Sequence, residues 1–337
     1  MRSIMDTGPG HRMKGTAAAV ALLLLAAAAG CSEGFDPLEQ TNAELRVIAF
    51  APDKPELPPG ETTTLSALVQ PASGGGEVTY TWDWCPFPSS SQNEYACPLT
   101  NEDLAGFAAM SPVPIEIPDL VLGQGETIDF TYPLPPFFFQ AICDQFAGQD
   151  VPEFITLPTC KGSYPITIRL IAEQGNSRIV AVKTLDLLLD VPKDPAEVNT
   201  NPVIDGVRIG PKDSARESST PIEDGTPYTV KRDTDYTIFL DIDPTQSEVY
   251  TPAPDEETPN PEPRYENLNI QWFRTDGDMQ YPRTAYIEGF VPLEILTENQ
   301  FTTPTAKMYD GAEINLYVVI RDERGGIGWT TRTLRFE

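Results

Sequence analysis

Val78-Thr79-Tyr80-Thr81-Trp82-Asp83-Trp84 is the stretch on which the fold turns. Val78, Tyr80, Trp82 and Trp84 alternate with Thr79, Thr81 and Asp83, so large apolar groups fall on one side of an extended chain and polar groups on the other. A strand of this kind has to bury its aromatic face against a second layer. Upstream lie two more strand patterns, Leu45–Phe50 and Thr63–Val69, with the turn Pro58-Pro59-Gly60 between them. Downstream, Tyr164–Ile171 and Ile179–Leu189 flank Gly175-Asn176, which reads as a hairpin turn.

Helix signals are sparse. Thr100 to Met110 opens with Thr100 and Asp103 at capping-box spacing, and Phe137 to Ala147 has the length of one short helix. Proline occupies 34 of 337 positions, about twice the usual share, which favours turns and edge strands over long helices. The fold class is therefore all-β. The order of strand, turn, strand, tryptophan strand and closing hairpin is that of an immunoglobulin-like sandwich. Tyr80-Thr81-Trp82-Asp83-Trp84 resembles the central strand of PKD-type immunoglobulin-like domains, and Gly162-Ser163-Tyr164 onward resembles their closing hairpin. PKD domains continue with Gly-Asp-Gly, whereas here Cys85-Pro86-Phe87 opens a long insertion that runs to Cys160. The first domain is expected over residues 45–192, with the insertion at 85–160.

Lys193 to Pro202 (KDPAEVNTNP) reads as a linker, after which the pattern repeats over residues 203–337. Val203–Ile209 is a first strand, Tyr236, Ile238, Leu240 and Ile242 mark a second, and Leu268, Ile270 and Trp272 a third. Ile314, Leu316, Val318 and Ile320 alternate with Glu313, Asn315, Tyr317 and Val319, and Gly325-Gly326 turns the chain into Trp329–Phe336. This closing stretch resembles the end of a PKD- or cadherin-like repeat. The expected architecture is two tandem immunoglobulin-like β-sandwiches, the second without cysteine. Trp82 and Trp272 hold corresponding positions, where a buried core indole is the preferred reading over an aromatic platform for sugar.

The start of the chain sets its compartment. Arg12 and Lys14 precede an uncharged apolar run, Ala17 to Ala29, too short for a comfortable permanent span and ending in small residues. Residues 1–30 read as a secretory signal peptide. Ala28-Ala29-Gly30-Cys31 resembles a bacterial lipobox, which implies that Cys31 is acylated and becomes the mature N-terminus, tethered to the bilayer. Ser32 in the next position implies outer-membrane sorting by the same resemblance. Residues 31–44 read as a tether, polar and unpatterned from Ser32 to Glu44; about 13 extended residues reach roughly 45 Å.

Composition narrows the chemistry. The whole chain carries a formal charge of −27; its first thirty residues hold Arg2, Arg12 and Lys14 against Asp6, leaving −29 on the remainder. Such a surface disfavours nucleic acid and anionic headgroups as partners and favours cations. His11 is the one histidine and lies in the signal segment, so the mature chain lacks an imidazole for Ser-His-Asp or Cys-His catalysis or for the usual zinc sites. Asp6-Thr7-Gly8 looks like an aspartic-protease motif but leaves with the same segment. With Cys31 committed to lipid, Cys85, Cys97, Cys143 and Cys160 remain, which in an exported chain read as two disulfides with three possible connectivities. Local pairing, 85 with 97 and 143 with 160, is preferred because it closes short turn-rich loops.

Two acidic groupings are candidates for an ion. The loops after the second and penultimate strands of a sandwich share one end, which predicts that Asp241 and Asp243 approach Asp322 and Glu323. Asn199 and Asn201 of the linker should lie close by. Asn199-Thr200-Asn201-Pro202 resembles the cadherin linker, and the resemblance implies a structural Ca²⁺ held by Asn199, Asn201, Asp241, Asp243 and Asp322, since calcium takes six to eight oxygens. Asp276, Asp278 and Asp310 form a second, weaker grouping at the opposite end. Asp255 to Glu266 (DEETPNPEPRYE) reads as an exposed acidic loop. Phe137-Phe138-Phe139 beside Pro135-Pro136 either packs on the sandwich, the preferred reading, or forms a binding surface. The expected function is a membrane-anchored, non-enzymatic binding or structural module of the cell envelope, with no cofactor beyond possible Ca²⁺, an unidentified protein or glycan partner, and no nucleic acid. The rivals are a carboxylate-based carbohydrate-active enzyme and a subunit of an envelope assembly.

Overall fold

Alternation around Trp82 produces the strand it predicts. The first sandwich contains β1 (Arg46–Pro52), β2 (Glu56–Leu57), β3 (Thr62–Gln70), β4 (Thr79–Cys85), β5 (Val121–Gln124), β6 (Thr127–Thr131), β7 (Ser163–Gln174) and β8 (Ser177–Leu188). In the computed structural model they form a sheet β1-β3-β6 facing a sheet β2-β8-β7-β4-β5. The structure describes residues 41, 44–87, 91–110, 117–133, 139–140, 143, 162–190, 198–252, 258, 260–305 and 311–337. β2 pairs parallel with β8 while the other pairings are antiparallel, the strand order of an immunoglobulin-like sandwich. Trp82 and Trp84 are buried and meet Phe50 and Phe130 of the opposite sheet edge to face, with centroids 5.7 and 5.5 Å apart. Their indole N–H groups donate to Gly125 O and Asp119 O.

The insertion is not a single piece, which corrects the expected span of 85–160. β5 and β6 lie inside it and return to the two sheets, β5 on β4 and β6 on β3. Ile128 and Phe130 alternate with Thr127, Asp129 and Thr131, a strand signal only five residues long and easily lost beside a glycine-rich turn. The first excursion carries the Cys85–Cys97 disulfide and the helix α1 (Asn101–Met110). The capping box forms as expected: Asp103 N donates to Thr100 Oγ1, and Thr100 N donates to the Asp103 carboxylate. In the second, Cys143 is disulfide-bonded, while Cys160 lies outside the described residues. Phe139, Gln140 and Cys143 are helical, and Phe139 packs in the core between Tyr132 and Tyr164. Phe137 and Phe138 lie outside the described residues.

The second sandwich repeats the plan. Its strands are β9 (Gly206–Pro211), β10 (Thr220–Pro221), β11 (Tyr228–Val230), β12 (Asp235–Asp241), β13 (Val249–Tyr250), β14 (Arg264–Tyr265), β15 (Leu268–Arg274), β16 (Asp278–Met279), β17 (Arg283–Tyr286), β18 (Glu298–Thr302), β19 (Glu313–Arg321) and β20 (Ile327–Phe336), with a short helix α2 (Leu293–Thr297) before β18. Sheet β10-β9-β12-β18-β16 faces sheet β11-β20-β19-β15-β17. Trp272 is buried on β15 and donates to Thr284 Oγ1, so both corresponding tryptophans are core residues. β13 and β14 pair as a hairpin, and Glu266, at the end of the segment expected to be an exposed loop, is 1 % exposed.

A third apolar cluster joins the sandwiches side by side. Ile48, Ala49 and Leu68 on the outer side of the β1-β3-β6 sheet meet Phe273, Tyr317, Val319, Ile327 and Trp329 on the outer side of β15, β19 and β20. Tyr317–Ile320 is accordingly buried on both faces of the strand. The expected tether over 31–44 also ends early. Thr41 is 0 % exposed, and both its N–H and its hydroxyl donate to Arg274 O of the second sandwich.

Candidate functional site

The chemistry of the chain concentrates where the linker crosses from one sandwich to the other. Asn201 uses its whole amide there. Its Nδ2 donates to Pro52 O at 2.6 Å and Asp53 O at 3.2 Å in the first sandwich, and its Oδ1 accepts from Ile327 N at 2.9 Å in the second. Asn199 N donates to Glu56 Oε2 at 2.8 Å, and Lys183 Nζ reaches Gly325 O. The linker lies directly on the β19–β20 turn. A Cβ at position 328 would sit 1.9 Å from Pro202 O, and one at 326 would strike Asp322 Oδ2 and Thr200 O, so both glycines are required by close approach.

Beneath the linker, Arg324 is the organising cation. It reaches Glu266 through Nε and Glu248 through Nη2 (2.5 Å), and its guanidinium lies 5.0 Å from the centroid of the Tyr250 ring. Arg264 lies over the same ring, and the Tyr250 hydroxyl donates to Glu323. Thr200 Oγ1 hydrogen-bonds to Glu248, so the linker joins this network. Asp322 Oδ1 accepts from Arg324 N and Gly326 N, which shapes the turn. The buried Asn199 amide lies against Asp322 without a well-aligned hydrogen bond, and Glu266 Oε2 and Asp322 Oδ2 are likewise unpartnered among the described residues. Burial raises the pKa of Glu56 and Asp322, and it pushes Glu266 up to about 7 despite the pull of Arg324. Burial moves Lys183 the other way, down to about 8.

No family model matches the chain, and no curated protein matches it. Among solved structures it aligns with an alpha-2-macroglobulin of Escherichia coli (8 % identity, 90 % of this chain and 22 % of that one, TM-score 0.21). It also aligns with latent PorU from Porphyromonas gingivalis (10 %, 87 % and 24 %, TM-score 0.20). A third is the extracellular cadherin domains 3–6 of protocadherin gamma B2 (13 %, 86 % and 50 %, TM-score 0.20). The chain thus spans about a quarter of the first two and half of the third. At these scores the likenesses carry no argument.

The five expected calcium ligands divide. Asn199, Asn201 and Asp322 do gather at the junction, whereas Asp241 and Asp243 are engaged elsewhere. Asp241 accepts from Arg216 at 3.0 Å, and Asp243 caps the turn at Thr245. The loops share an end of the sandwich, but β12 and β19 belong to facing sheets, which lie about 10 Å apart. Among the described residues no three His, Cys, Asp or Glu side chains are placed to hold an ion. The donor set does not fit Ca²⁺, because the acids beside Asp322 already face the guanidinium of Arg324. Of the second grouping, Asp276 accepts from its neighbour Gly277 N, Asp278 is exposed with Arg274 3.7 Å away, and Asp310 lies outside the described residues. Sequence reasoning missed Arg324, Glu248, Glu266, Lys183 and Glu56. The one available signal was an arginine set between acids in Asp322-Glu323-Arg324-Gly325-Gly326, at a turn that the linker has to cross.

Proposed function

We propose that this chain is a lipid-anchored, extracytoplasmic module of the cell envelope, non-enzymatic, whose two sandwiches act as one rigid body in binding or spacing other components. The observation that supports it best is Asn201. A linker residue that hydrogen-bonds both sandwiches at once removes the freedom that a flexible tandem would have. The polar and apolar contacts around it extend the same joint from the linker to Trp329. Anchorage rests on the Gly15–Cys31 sequence, with an acylated Cys31 inserted in the outer membrane, where more than one chain gives stable attachment. Among the described residues no helix is long and apolar enough to cross a membrane. Mass spectrometry of the peptide beginning at Cys31, from protein extracted out of membranes, tests the anchor. A diacylglyceryl adduct is expected, and a free thiol at that position would remove the assignment.

A further inference from the structure

A hollow of about 580 Å³ opens at the end of the first sandwich opposite to where the chain leaves β8 for the linker. Tyr80 is among the residues that line it, half-buried and packed against the sandwich core. One wall is the 71–78 loop and the other the β5–β6 turn. Both walls are fixed. The buried Gln174 accepts from Ala72 N at 2.8 Å and donates to Gly76 O at 2.7 Å. On the other side, Gly125 N donates to Tyr80 O and Gly125 O accepts the Trp82 indole at 2.8 Å. Gly76 and Gly125 hold φ of +85° and +121°, backbone that a side chain would strain. The first wall carries Glu77 and the second Gln124 and Glu126; no lysine or arginine lines the space, and among the described residues neither glutamate has an ion-pair partner.

A hollow lined by an aromatic residue and two carboxylates without ion-pair partners suits one ligand chemistry. A cation near an aromatic ring is attracted by the ring quadrupole, and flanking carboxylates add a Coulomb attraction at close range. A neutral sugar would also stack on the tyrosine but would leave both charges unanswered. We propose that this hollow binds an organic ammonium group, a lysine ε-amine or a quaternary ammonium, over Tyr80 and between Glu77 and Glu126. The negative charge of the chain draws such ligands toward it. The inference deepens the binding-module reading by naming the chemistry of its ligand, and it rests on that reading.

Saturation-transfer NMR on the full chain tests it, with choline, N-acetyl-lysine amide and glucose as separate probes. Transfer to the choline methyl protons or to the lysine ε-protons is expected, with none to glucose; which of the two amines binds distinguishes a quaternary headgroup from a peptide side chain. Glu77→Gln and Glu126→Gln, both on exposed positions, are each expected to weaken binding about fivefold. Tyr80→Leu keeps an apolar side chain against the core without the aromatic ring and is expected to abolish binding. Amine binding that is unchanged in the double glutamine variant overturns the assignment, as does equal transfer to glucose or none to either amine. These outcomes are independent of the Cys31 adduct, so a failed ligand and a failed anchor are distinguishable.

Discussion

Asn201 uses both its amide donors and its amide oxygen to join the sandwiches, and its replacement is the sharpest single test of the joint. Asn201→Ala strands two carbonyls and one N–H, and is expected to lower stability by about 2–3 kcal/mol in urea unfolding. Glu266 makes a different prediction. Its folded pKa is raised from the ordinary 4.5 to about 7, so the folded chain keeps a proton there that the unfolded chain has already released. The stability this contributes is complete below about pH 4.5 and is lost as pH rises through about 7. Lys183, lowered from 10.5 to about 8, contributes with the opposite slope, gaining between those two values. Melting temperature should therefore fall between pH 5 and 7.5 and recover above pH 8, with the first limb flattened in Glu266→Gln. Neither residue was legible as special beforehand, because a buried carboxylate is identified by what covers it. The group that meets it here, Arg324, lies 58 residues away in sequence.

The strands were far more legible than the site. β4 followed from a period-two run of aromatics, and β7–β8 from their apolar runs around Gly175-Asn176. β5 was missed because four residues with Gly123 inside give no period to detect. β19 was read as alternating, yet Leu316-Tyr317-Val318-Val319-Ile320 is an unbroken apolar run, the mark of a strand covered on both faces. That run already held the side-by-side packing. The Cys85–Cys97 bridge closes the turn-rich loop that ends β4, with a sequence separation of 12. Replacing both cysteines by serine is expected to cost about 3 kcal/mol, read as a lower denaturant midpoint under oxidising conditions and no change under reducing ones.

Two immunoglobulin-like sandwiches in tandem suggest beads on a string, and the resemblance to a cadherin linker implied an ion at the joint. The chain instead supplies its own cation, Arg324, and adds an apolar seam from Ile48 to Trp329. A shared seam couples the folding of the parts. Calorimetry of the intact chain is expected to give one unfolding transition. Val319→Asp buries a charge in that seam and is expected to split the transition in two and raise the radius of gyration in X-ray scattering. A single transition with unchanged dimensions in that variant would mean that the seam contributes little.

The bond from Thr41 to Arg274 carries a mechanical consequence. Tension applied to the chain upstream of Thr41 is borne first by a carbonyl of the second sandwich, and only after that contact ruptures does it reach the first residues of β1. A stretched molecule should therefore yield in two steps under single-molecule force, with a small early release at this clasp before either β-sandwich tears.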